Sequence, residues 1–303
     1  MNRNGLLLLV LLLQVGLNRN NVHAQTPVQN KELRTVLHTI ASKYKATVGV
    51  GVIHIESGDT VTLNNEVHFP MQSVYKFPQA LAVMNQIDQG KLRLNQVYHV
   101  TKADLLDETW SPLKKKYPEG NVDLTVAELL DYSVSKSDNI ACDILFQLAK
   151  GTKPVNQFIH QIGIKNMEIV ATEHEMHSDW KIQYTNWSTP LEMARLLEGF
   201  QQKKYLSDSS NLFLMNLMIE STNDPGRIKA LIPEGTLVAH KTGTSDSRNG
   251  VYDACNDVGV ITLPDGTHVA LSVFVSKSSE GYDDTRKLIA ELAKAVYDHY
   301  SVN

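Results

Sequence analysis

This sequence has few cysteines, a small net charge and no long apolar run. Only Cys142 and Cys255 occur among 303 residues, so a framework of several disulfides is excluded. The formal net charge is -4, and Lys114-Lys115-Lys116 is the only run of positive residues. That run is better explained as a solvated loop than as a nucleic-acid contact. The most apolar stretch, residues 5–17, is shorter than the roughly 20 residues that a membrane-spanning helix needs.

The first 24 residues have the pattern of a secretion signal. Arg3 precedes the apolar stretch, and Val22-His23-Ala24 provides a small-residue cleavage site. No cysteine lies near this site, so no lipid anchor is expected. We therefore expect an exported, periplasmic protein without a stable membrane anchor. Its two cysteines should be buried and free, although the sequence does not exclude a bridge between them.

Periodicity divides the remaining chain into two predicted lobes. Residues 25–66 and 225–303 have the patterns of strands, with an amphipathic helix near each end of the chain. Residues 67–224 have mainly helical patterns. We therefore expect an α+β fold. In it, one antiparallel sheet is built from both chain ends and faced by the terminal helices, and a cleft separates it from an all-helical lobe.

Local patterns give further expectations within these lobes. The first helix should be amphipathic, as marked by Leu33, Val36, Leu37, Ile40, Ala41 and Tyr44. Gly49-Val50-Gly51 lacks the third glycine of a dinucleotide motif and indicates a strand that another element packs closely. Thr125–Glu128 and Thr189–Glu192 have the spacing of capping boxes. No period holds between residues 170 and 187, which predicts a long loop of the kind that is usually functional.

The segment around Ser73 places a nucleophile next to a possible base. Ser73 and Lys76 lie three residues apart at the start of a predicted helix, so their side chains project together. A hydroxyl there also lies at the positive end of the helix dipole, which favours developing negative charge. The Ser-x-x-Lys pattern alone is not specific, because it begins at Ser42, Ser73, Ser111, Ser133 and Ser178.

Two tripeptides distinguish Ser73 from the other serines. Ser137-Asp138-Asn139 and Lys241-Thr242-Gly243 follow it in this order, and each is expected by chance in fewer than about one chain in ten. Together with Ser-x-x-Lys they form the motif set of class A β-lactamases and penicillin-binding proteins. Over essentially its whole mature length the chain resembles a class A serine β-lactamase. The resemblance implies hydrolysis of β-lactam antibiotics through a serine acyl-enzyme, by a monomer that needs no cofactor.

The resemblance also implies roles for the motif residues in the chemical steps. Ser73 would be the nucleophile, and Lys76 would take or relay its proton. Ser137 would carry a proton to the departing nitrogen. The backbone N–H groups of Ser73 and Thr244 would form the oxyanion hole, which is typically worth about 3 kcal/mol per donor.

Further motif residues would bind the small-molecule substrate. Asn139 would hold the amide of the substrate's side chain. Lys241 would attract the substrate carboxylate, and Thr242 and Gly243 would continue the substrate-binding strand. Trp110 would form an aromatic wall of the cleft.

The predicted loop supplies the base for hydrolysis of the acyl-enzyme. Glu173 and Glu175 both lie on it, and the residues alone do not choose between them. The family's spacing from Ser137 selects Glu173. Whether acylation uses Lys76 or Glu173 stays open.

This loop departs from the common class A pattern. Ala171 and Asn186 stand where an arginine and an aspartate usually pair, and His174 and His177 replace a proline and an asparagine. With Trp110, this combination resembles the extended-spectrum PER-type branch and implies a wider pocket for bulky oxyimino-cephalosporins. The spacing of the two histidines lacks the His-Glu-x-x-His pattern of a zinc site, so no metal is expected.

A second cation is expected near the substrate carboxylate. Many relatives carry an arginine on the strand after Lys-Thr-Gly, but that segment here contains Asn256-Asp257-Val258-Gly259. Arg227 would reach the same carboxylate from a neighbouring segment. The alternative interpretation is a surface arginine.

Two other functions share part of the motif set. A D,D-peptidase would share Ser73, Lys76 and Lys241, but it has no use for a base on a long loop. A β-lactam sensor domain would remain acylated and needs a membrane connection, and the sequence offers only a removable signal segment. Glu173 and the compact, unanchored chain therefore favour the β-lactamase.

Overall fold

The computed structural model describes residues 30–222 and 224–301. The predicted signal peptide, residues 1–24, lies outside the described residues. Within the two described ranges, none of the helices combines the length and apolar character that crossing a bilayer requires.

The strands and helices follow each other in this order. The strands are β1 Thr47–His54, β2 Thr60–Leu63, β3 Phe69–Pro70, β4 Val97–Val100, β5 Val122–Thr125, β6 Met167–Glu168, β7 Trp187–Ser188, β8 Val238–Thr244, β9 Ser247–Arg248, β10 Val251–Tyr252, β11 Cys255–Thr262 and β12 His268–Ser276. The α-helices are α1 Lys31–Ala41, α2 Lys76–Asp88, α3 Pro112–Lys116, α4 Val126–Val134, α5 Asn139–Leu148, α6 Thr152–Gln161, α7 Glu173–Ser178, α8 Pro190–Gln201, α9 Asp208–Ile219 and α10 Tyr282–Ser301. Short 3-10 helices span Gln72–Tyr75, Lys102–Asp104, Trp180–Thr185 and Ile228–Leu231.

A five-stranded antiparallel sheet joins the two ends of the chain. Its spatial order is β2-β1-β12-β11-β8, so the early strand β1 pairs with β2 on one side and with the late strand β12 on the other. Helices α1 and α10 share a buried apolar cluster with one face of the sheet. Helix α8 packs on β1, β11 and β12. Because both faces are covered, β1, β11 and β12 are nearly continuously buried rather than alternating. The predicted α+β class is confirmed.

Two glycines let α8 approach the sheet closely. A Cβ on Gly51 would lie 2.4 Å from the carbonyl oxygen of Pro190, and one on Gly49 would lie 2.3 Å from the ring of Phe69. Contacts this short are impossible for a real side chain. The prediction of a strand that another element packs closely is therefore confirmed.

The amphipathic first helix forms as predicted, with Leu33 and Leu37 buried, but two details differ from expectation. Val36 is 42% exposed, so the buried face of α1 is narrower than its pattern suggests. Thr189 makes no side-chain cap at the start of α8, although Pro190 occupies the first turn as expected. The carboxylate of Glu192 instead accepts hydrogen bonds from the side chain of Asn166 and from the backbone N–H of Lys165. Its acceptors are therefore used by these groups and not by the N-cap of α8. The capping box at Thr125–Glu128 does form.

Both cysteines are buried and free, as expected. The thiol of Cys142 lies within hydrogen-bonding distance of the Tyr75 hydroxyl group and of the side-chain oxygen of Gln79 on α2. Cys255 lies at the start of β11. Burial raises the pKa of both thiols, so neither is a reactive thiolate near neutral pH.

We predict that Gly51→Ala destabilises the protein by at least about 2 kcal/mol, because the new methyl group must displace backbone. The measurement is the free energy of unfolding from urea denaturation. Gly281→Ala is the control, since a Cβ there meets nothing within 4 Å. Equal effects of the two substitutions would contradict the close approach of α8.

Candidate active site

Ser73 lies on a rigid junction between two helices. It belongs to the 3-10 helix Gln72–Tyr75, which continues directly into α2 at Lys76. Every residue of α2 from Lys76 to Met84 is buried, so the helix is enclosed by protein rather than exposing one face. Ser73 itself is only partly buried and lines the cleft. The nucleophile predicted from the sequence is thus both accessible and firmly supported.

The ammonium group of Lys76 connects three other segments. It is fully buried and donates to the backbone oxygen of Ser137 at 2.8 Å and to Oδ1 of Asn139 at 2.5 Å. Oε1 of Glu173 lies 3.1 Å from the same Nζ atom. The oxygens of Ser137 and Asn139 accept hydrogen bonds from Nζ, and the Glu173 carboxylate lies at ion-pair distance. The amine therefore brings together Ser-x-x-Lys, Ser-Asp-Asn and the predicted loop.

The structure gives the two loop glutamates different environments. Glu173 is only 8% exposed, and its Oε1 is buried without hydrogen-bond geometry to any described group, despite its short distance to Lys76. A buried carboxylate oxygen with a free lone pair is suited to hold and deprotonate a water. Glu175 is exposed, and its carboxylate instead accepts from the backbone and hydroxyl of Thr172. This geometry favours Glu173 as the base.

The predicted loop contains local helices. It holds α7 and the 3-10 helix Trp180–Thr185, separated by Asp179. Each is only six residues long, which is too short to show a 3.6-residue period. The spacing Thr172–Glu175 is a capping box that forms in the structure and could have revealed α7.

Asp143 anchors the start of α7 from the neighbouring helix α5. Its two carboxylate oxygens accept from the backbone N–H groups of Glu173 and His174, each at 2.8 Å. Burial, together with the negative charge of Glu173, raises the pKa of Asp143 to about 6. Sequence reasoning missed this residue. Its position four residues after Asn139, on the same helix face, was the available signal.

Asn186 closes the segment where a salt bridge is usual in relatives. Its Oδ1 accepts from the N–H groups of Val170 and Ala171, and its Nδ2 donates to the oxygen of Ala171. The distances are 2.8, 2.9 and 2.8 Å. An amide can bond to the backbone in both directions, so it joins the two ends without a charged partner.

Ser137, which lines the cleft, is in direct contact with the fully buried Lys241. The Nζ atom of Lys241 donates to Oγ of Ser137 at 2.8 Å and to the oxygen of Thr242 at 2.9 Å. Burial and the nearby charge of Lys76 lower the pKa of Lys241 well below its usual value. Asp138, between the two predicted site residues Ser137 and Asn139, caps α5 instead. Asn139 also donates to the hydroxyl oxygen of a neighbouring threonine at 2.8 Å.

Strand β8 lies directly against the turn that carries Ser73. A Cβ on Gly243 would be 2.5 Å from the oxygen of Met71 and 3.1 Å from the nitrogen of Ser73, so only glycine fits. Asn256 reinforces the contact by donating to the oxygens of Pro70 and Met71. The segment bearing Ser73 and the strand that ends at Thr244 are thereby locked together. Asn256 was not singled out from the sequence.

Arg227 is 1% exposed, so its interpretation as a surface arginine is wrong. It makes an ion pair with Asp224, with 2.7 Å between Nε and Oδ2. Its remaining N–H groups donate to the oxygens of Gly243 and Asn256 and to the hydroxyl groups of Thr244 and Tyr282. The guanidinium therefore fixes the end of β8, and direct contact with a substrate carboxylate stays a prediction that requires one of these bonds to exchange.

The site opens into a cleft with a side pocket. The cleft has a volume of about 710 Å³, and its lining includes Ser73, Trp110, Ser137, Asn139, Glu173, Arg227, Thr242, Gly243 and Thr244. The side pocket, of about 420 Å³, lies between α7 and the segment after β8. Trp110 is 63% exposed, lines both spaces and donates to the oxygen of Lys136. His177 is exposed and lines the side pocket.

Comparisons with known proteins agree with this geometry. The model of the β-lactamase enzyme family matches residues 31–300. β-Lactamase VEB-1 of Pseudomonas aeruginosa is 42% identical over 96% of this chain and 97% of its own length. Extended-spectrum β-lactamase PER-1 of the same organism is 42% identical over 94% of this chain and 92% of its own. The crystal structure of TLA-3 extended-spectrum β-lactamase is 47% identical, with a TM-score of 0.88 over 89% of this chain and 99% of that one.

We predict a pH-dependent effect of Asp143→Asn on stability. Because the pKa of Asp143 is raised in the folded state, the folded protein binds more protons than the unfolded chain between about pH 4 and 6. Relative to Asp143→Asn, the wild type should therefore lose about 2–3 kcal/mol of unfolding free energy as the pH rises through this range. Urea denaturation at several pH values measures the difference. If the wild type instead gained unfolding free energy relative to Asp143→Asn as the pH rose, the raised pKa of Asp143 would be contradicted. Asp123→Asn, which replaces an exposed carboxylate, is the control.

Proposed function

The chain belongs to the β-lactamase enzyme family, and on that premise we infer that it hydrolyses β-lactam antibiotics through a serine acyl-enzyme intermediate. The observation that supports this most is the position of the Lys76 ammonium group, within 3.1 Å of oxygens of Ser137, Asn139 and Glu173. A nucleophile, a proton carrier and a carboxylate base therefore surround one cleft. This is the set that ring opening and subsequent hydrolysis need.

We propose that acylation begins with attack of the Ser73 hydroxyl oxygen on the lactam carbonyl carbon. The hydroxyl proton leaves toward the Lys76–Glu173 pair. The oxyanion is stabilised by the backbone N–H groups of Ser73 and Thr244, whose segments Gly243 brings into contact. The geometry leaves the choice between Lys76 and Glu173 as the acylation base open.

Cleavage of the lactam C–N bond requires a proton for the departing nitrogen. Lys241 donates to the oxygen of Ser137, so the hydroxyl hydrogen of Ser137 is not needed for that bond. It is available to the leaving nitrogen. Lys241 thus orients the proton carrier in addition to attracting the substrate carboxylate.

Deacylation is assigned to Glu173. Its carboxylate takes a proton from a water, whose oxygen attacks the ester carbonyl carbon. The bond between that carbon and the Ser73 oxygen then breaks, the Ser73 oxygen receives the proton back, and the penicilloate-type product leaves. Asp143 and Asn186 hold the segment that carries this carboxylate. A D,D-peptidase has no use for such a base, so this carboxylate favours hydrolysis over persistent acylation.

We further propose an extended substrate spectrum. The side pocket gives room for a bulky acyl substituent beside Asn139, with Trp110 and His177 on its walls. A relative at 42% identity is named an extended-spectrum β-lactamase.

We also propose that the chain acts as a monomer exported to the periplasm, and that residues 25–66 and 225–303 form one lobe and 67–224 the other.

Glu173→Gln should trap the acyl-enzyme, because glutamine cannot accept the proton of the attacking water. Mass spectrometry after mixing with benzylpenicillin should show an adduct that persists at least about a hundredfold longer than in the wild type. Glu175→Gln is the matched control, on the same short helix but outside the cleft lining, and its adduct should disappear at the wild-type rate. Release from Glu173→Gln at the original speed would exclude Glu173 as the deacylating base.

Cefotaxime should be hydrolysed with a kcat/KM within about tenfold of that for benzylpenicillin, since the side pocket admits its oxyimino group. Steady-state kinetics on both substrates provides the comparison. Negligible turnover of cefotaxime beside benzylpenicillin would show that the pocket does not serve this purpose.

A further inference from the structure

The side pocket beside the active site has two tryptophans in its lining. They are Trp110 and Trp180, and Trp180 is the first residue of the 3-10 helix Trp180–Thr185. The acidic residues of the lining are Glu108, Glu173 and Asp246. Among the described residues, no lysine or arginine lines this pocket. A flat, uncharged aromatic group therefore fits the side pocket better than an anionic group does. None of the catalytic steps above uses Trp180.

The backbone of Trp180 is tied to the segment that carries the nucleophile. Nε2 of Gln183 donates to the backbone oxygen of Trp180 at 3.0 Å. Nε2 of Gln72, which directly precedes Ser73, donates to Oε1 of Gln183 at 2.6 Å. Gln183 is buried, so water does not compete for these two bonds. They hold the main chain of Trp180 at a fixed distance from Ser73, while its side chain lines the side pocket.

The indole ring of Trp180 is held from a different segment of the chain. The guanidinium carbon of Arg248 lies 4.9 Å from the centroid of this ring. A guanidinium group in that position is attracted by the negative face of the π-system. Arg248 is exposed and lies outside the lining of the side pocket, so it contacts the ring from the outer side. This contact restricts rotation of the indole and thereby fixes its orientation in the pocket wall.

Arg248 lies on a short hairpin that begins shortly after Thr244. The hairpin consists of β9 and β10, which pair in an antiparallel register. Its turn residues, Asn249-Gly250, have φ angles of 52° and 73°, the two positive values that a type I′ turn requires. At its base the hydroxyl oxygen of Ser245 accepts from two backbone N–H groups of the returning chain. The hairpin is therefore a defined support for the guanidinium.

A second contact joins the same hairpin to the same 3-10 helix. The hydroxyl group of Tyr184 donates to the carboxylate of Asp253, which directly follows β10. Burial and this hydrogen bond raise the pKa of Tyr184 to about 12, so the phenol remains a neutral donor at neutral pH. The 3-10 helix and the hairpin are thus bridged at two points, and Trp180 lies at the one that also lines the side pocket.

We propose that Trp180 is a specificity residue that packs on the aromatic ring of a β-lactam's acylamino substituent, and that Arg248 is the positioning residue for its indole. Asn139 lines both the cleft and the side pocket, so a ring one or two bonds from the amide that Asn139 holds reaches the pocket. Paired aromatic rings gain free energy beyond their buried area. The preferred substrates are therefore β-lactams with an uncharged aryl or heteroaryl acyl group. The inference rests on the proposed function and deepens it.

The test compares two cephalosporins that differ by a single ring. Cephalothin carries a thienylacetamido group, and 7-acetamidocephalosporanic acid has the same nucleus and amide without the thiophene. Trp180→Leu should lower kcat/KM for cephalothin about fivefold, the effect of one lost aromatic pair, and leave that of the acetamido compound unchanged. Trp180→Phe keeps an aromatic ring and should stay within about twofold of the wild type on both. If Trp180→Leu does not fold, Trp180→Met takes its place.

The positioning role of Arg248 is tested by the ratio of the two kcat/KM values, cephalothin over the acetamido compound. Arg248→Ala releases the indole and should lower this ratio about threefold, whereas Arg248→Lys keeps a cation and should restore it. Lys181→Ala removes an exposed cation from the same 3-10 helix and, as the matched control, should leave the ratio unchanged. Loss of folded protein lowers both rates equally, so a merely structural effect does not move the ratio. An unchanged ratio in Arg248→Ala would overturn its positioning role.

The same measurements separate this inference from the proposed function. Wild-type hydrolysis of both cephalosporins, with a selective loss on cephalothin in Trp180→Leu, is the expected result. Equal losses on both compounds, or no loss on either, would overturn the role of Trp180 and leave the proposed function standing. Absence of wild-type hydrolysis of both would overturn the proposed function itself.

Discussion

The site depends on one buried ammonium group. Lys76 sits at the start of the enclosed helix α2 and has oxygens of Ser137, Asn139 and Glu173 as its partners. These three residues come from different segments of the chain, so the amine fixes their mutual position in addition to its proposed part in proton transfer. A buried cation is stable only when its donors are satisfied, and loss of any of the three oxygens would leave it uncompensated. The requirement of Lys76 for acceptors thus defines the geometry around Ser73.

A second constraint is the accumulation of buried positive charge along the cleft. Lys76, Lys241 and Arg227 are all essentially unexposed. Such a cluster suits an anionic substrate, but it destabilises the free protein unless carboxylates are placed nearby. Asp224 pairs with Arg227, and Glu173 lies against Lys76. The polar residues beneath the cleft are therefore part of its electrostatics even where no substrate touches them.

In the segment that bears Glu173, hydrogen bonds of Asn186 and Asp143 stand in place of the arginine–aspartate ion pair that is usual in the family. Asn186 joins the two ends of the segment through its amide, and Asp143 holds the first turn of α7 through two backbone N–H groups. Neither contact needs an arginine. The segment thereby holds Glu173 in a buried position, and the side pocket lies beside it.

The sequence determined the fold class and selected Ser73 as the candidate nucleophile together with the motif residues, because strand and helix periods and short motif spacings are local properties of the chain. It also predicted the close packing at Gly49 and Gly51. It did not choose between Glu173 and Glu175 without the family's spacing, and it missed Asp143, Asn256 and the burial of Arg227. These points depend on which distant groups meet. Two glutamates that lie two residues apart differ only in what surrounds them, and a guanidinium is buried only where enough acceptors converge. Tertiary structure decided these points, since burial and hydrogen-bond partners arise from contacts that no local pattern encodes.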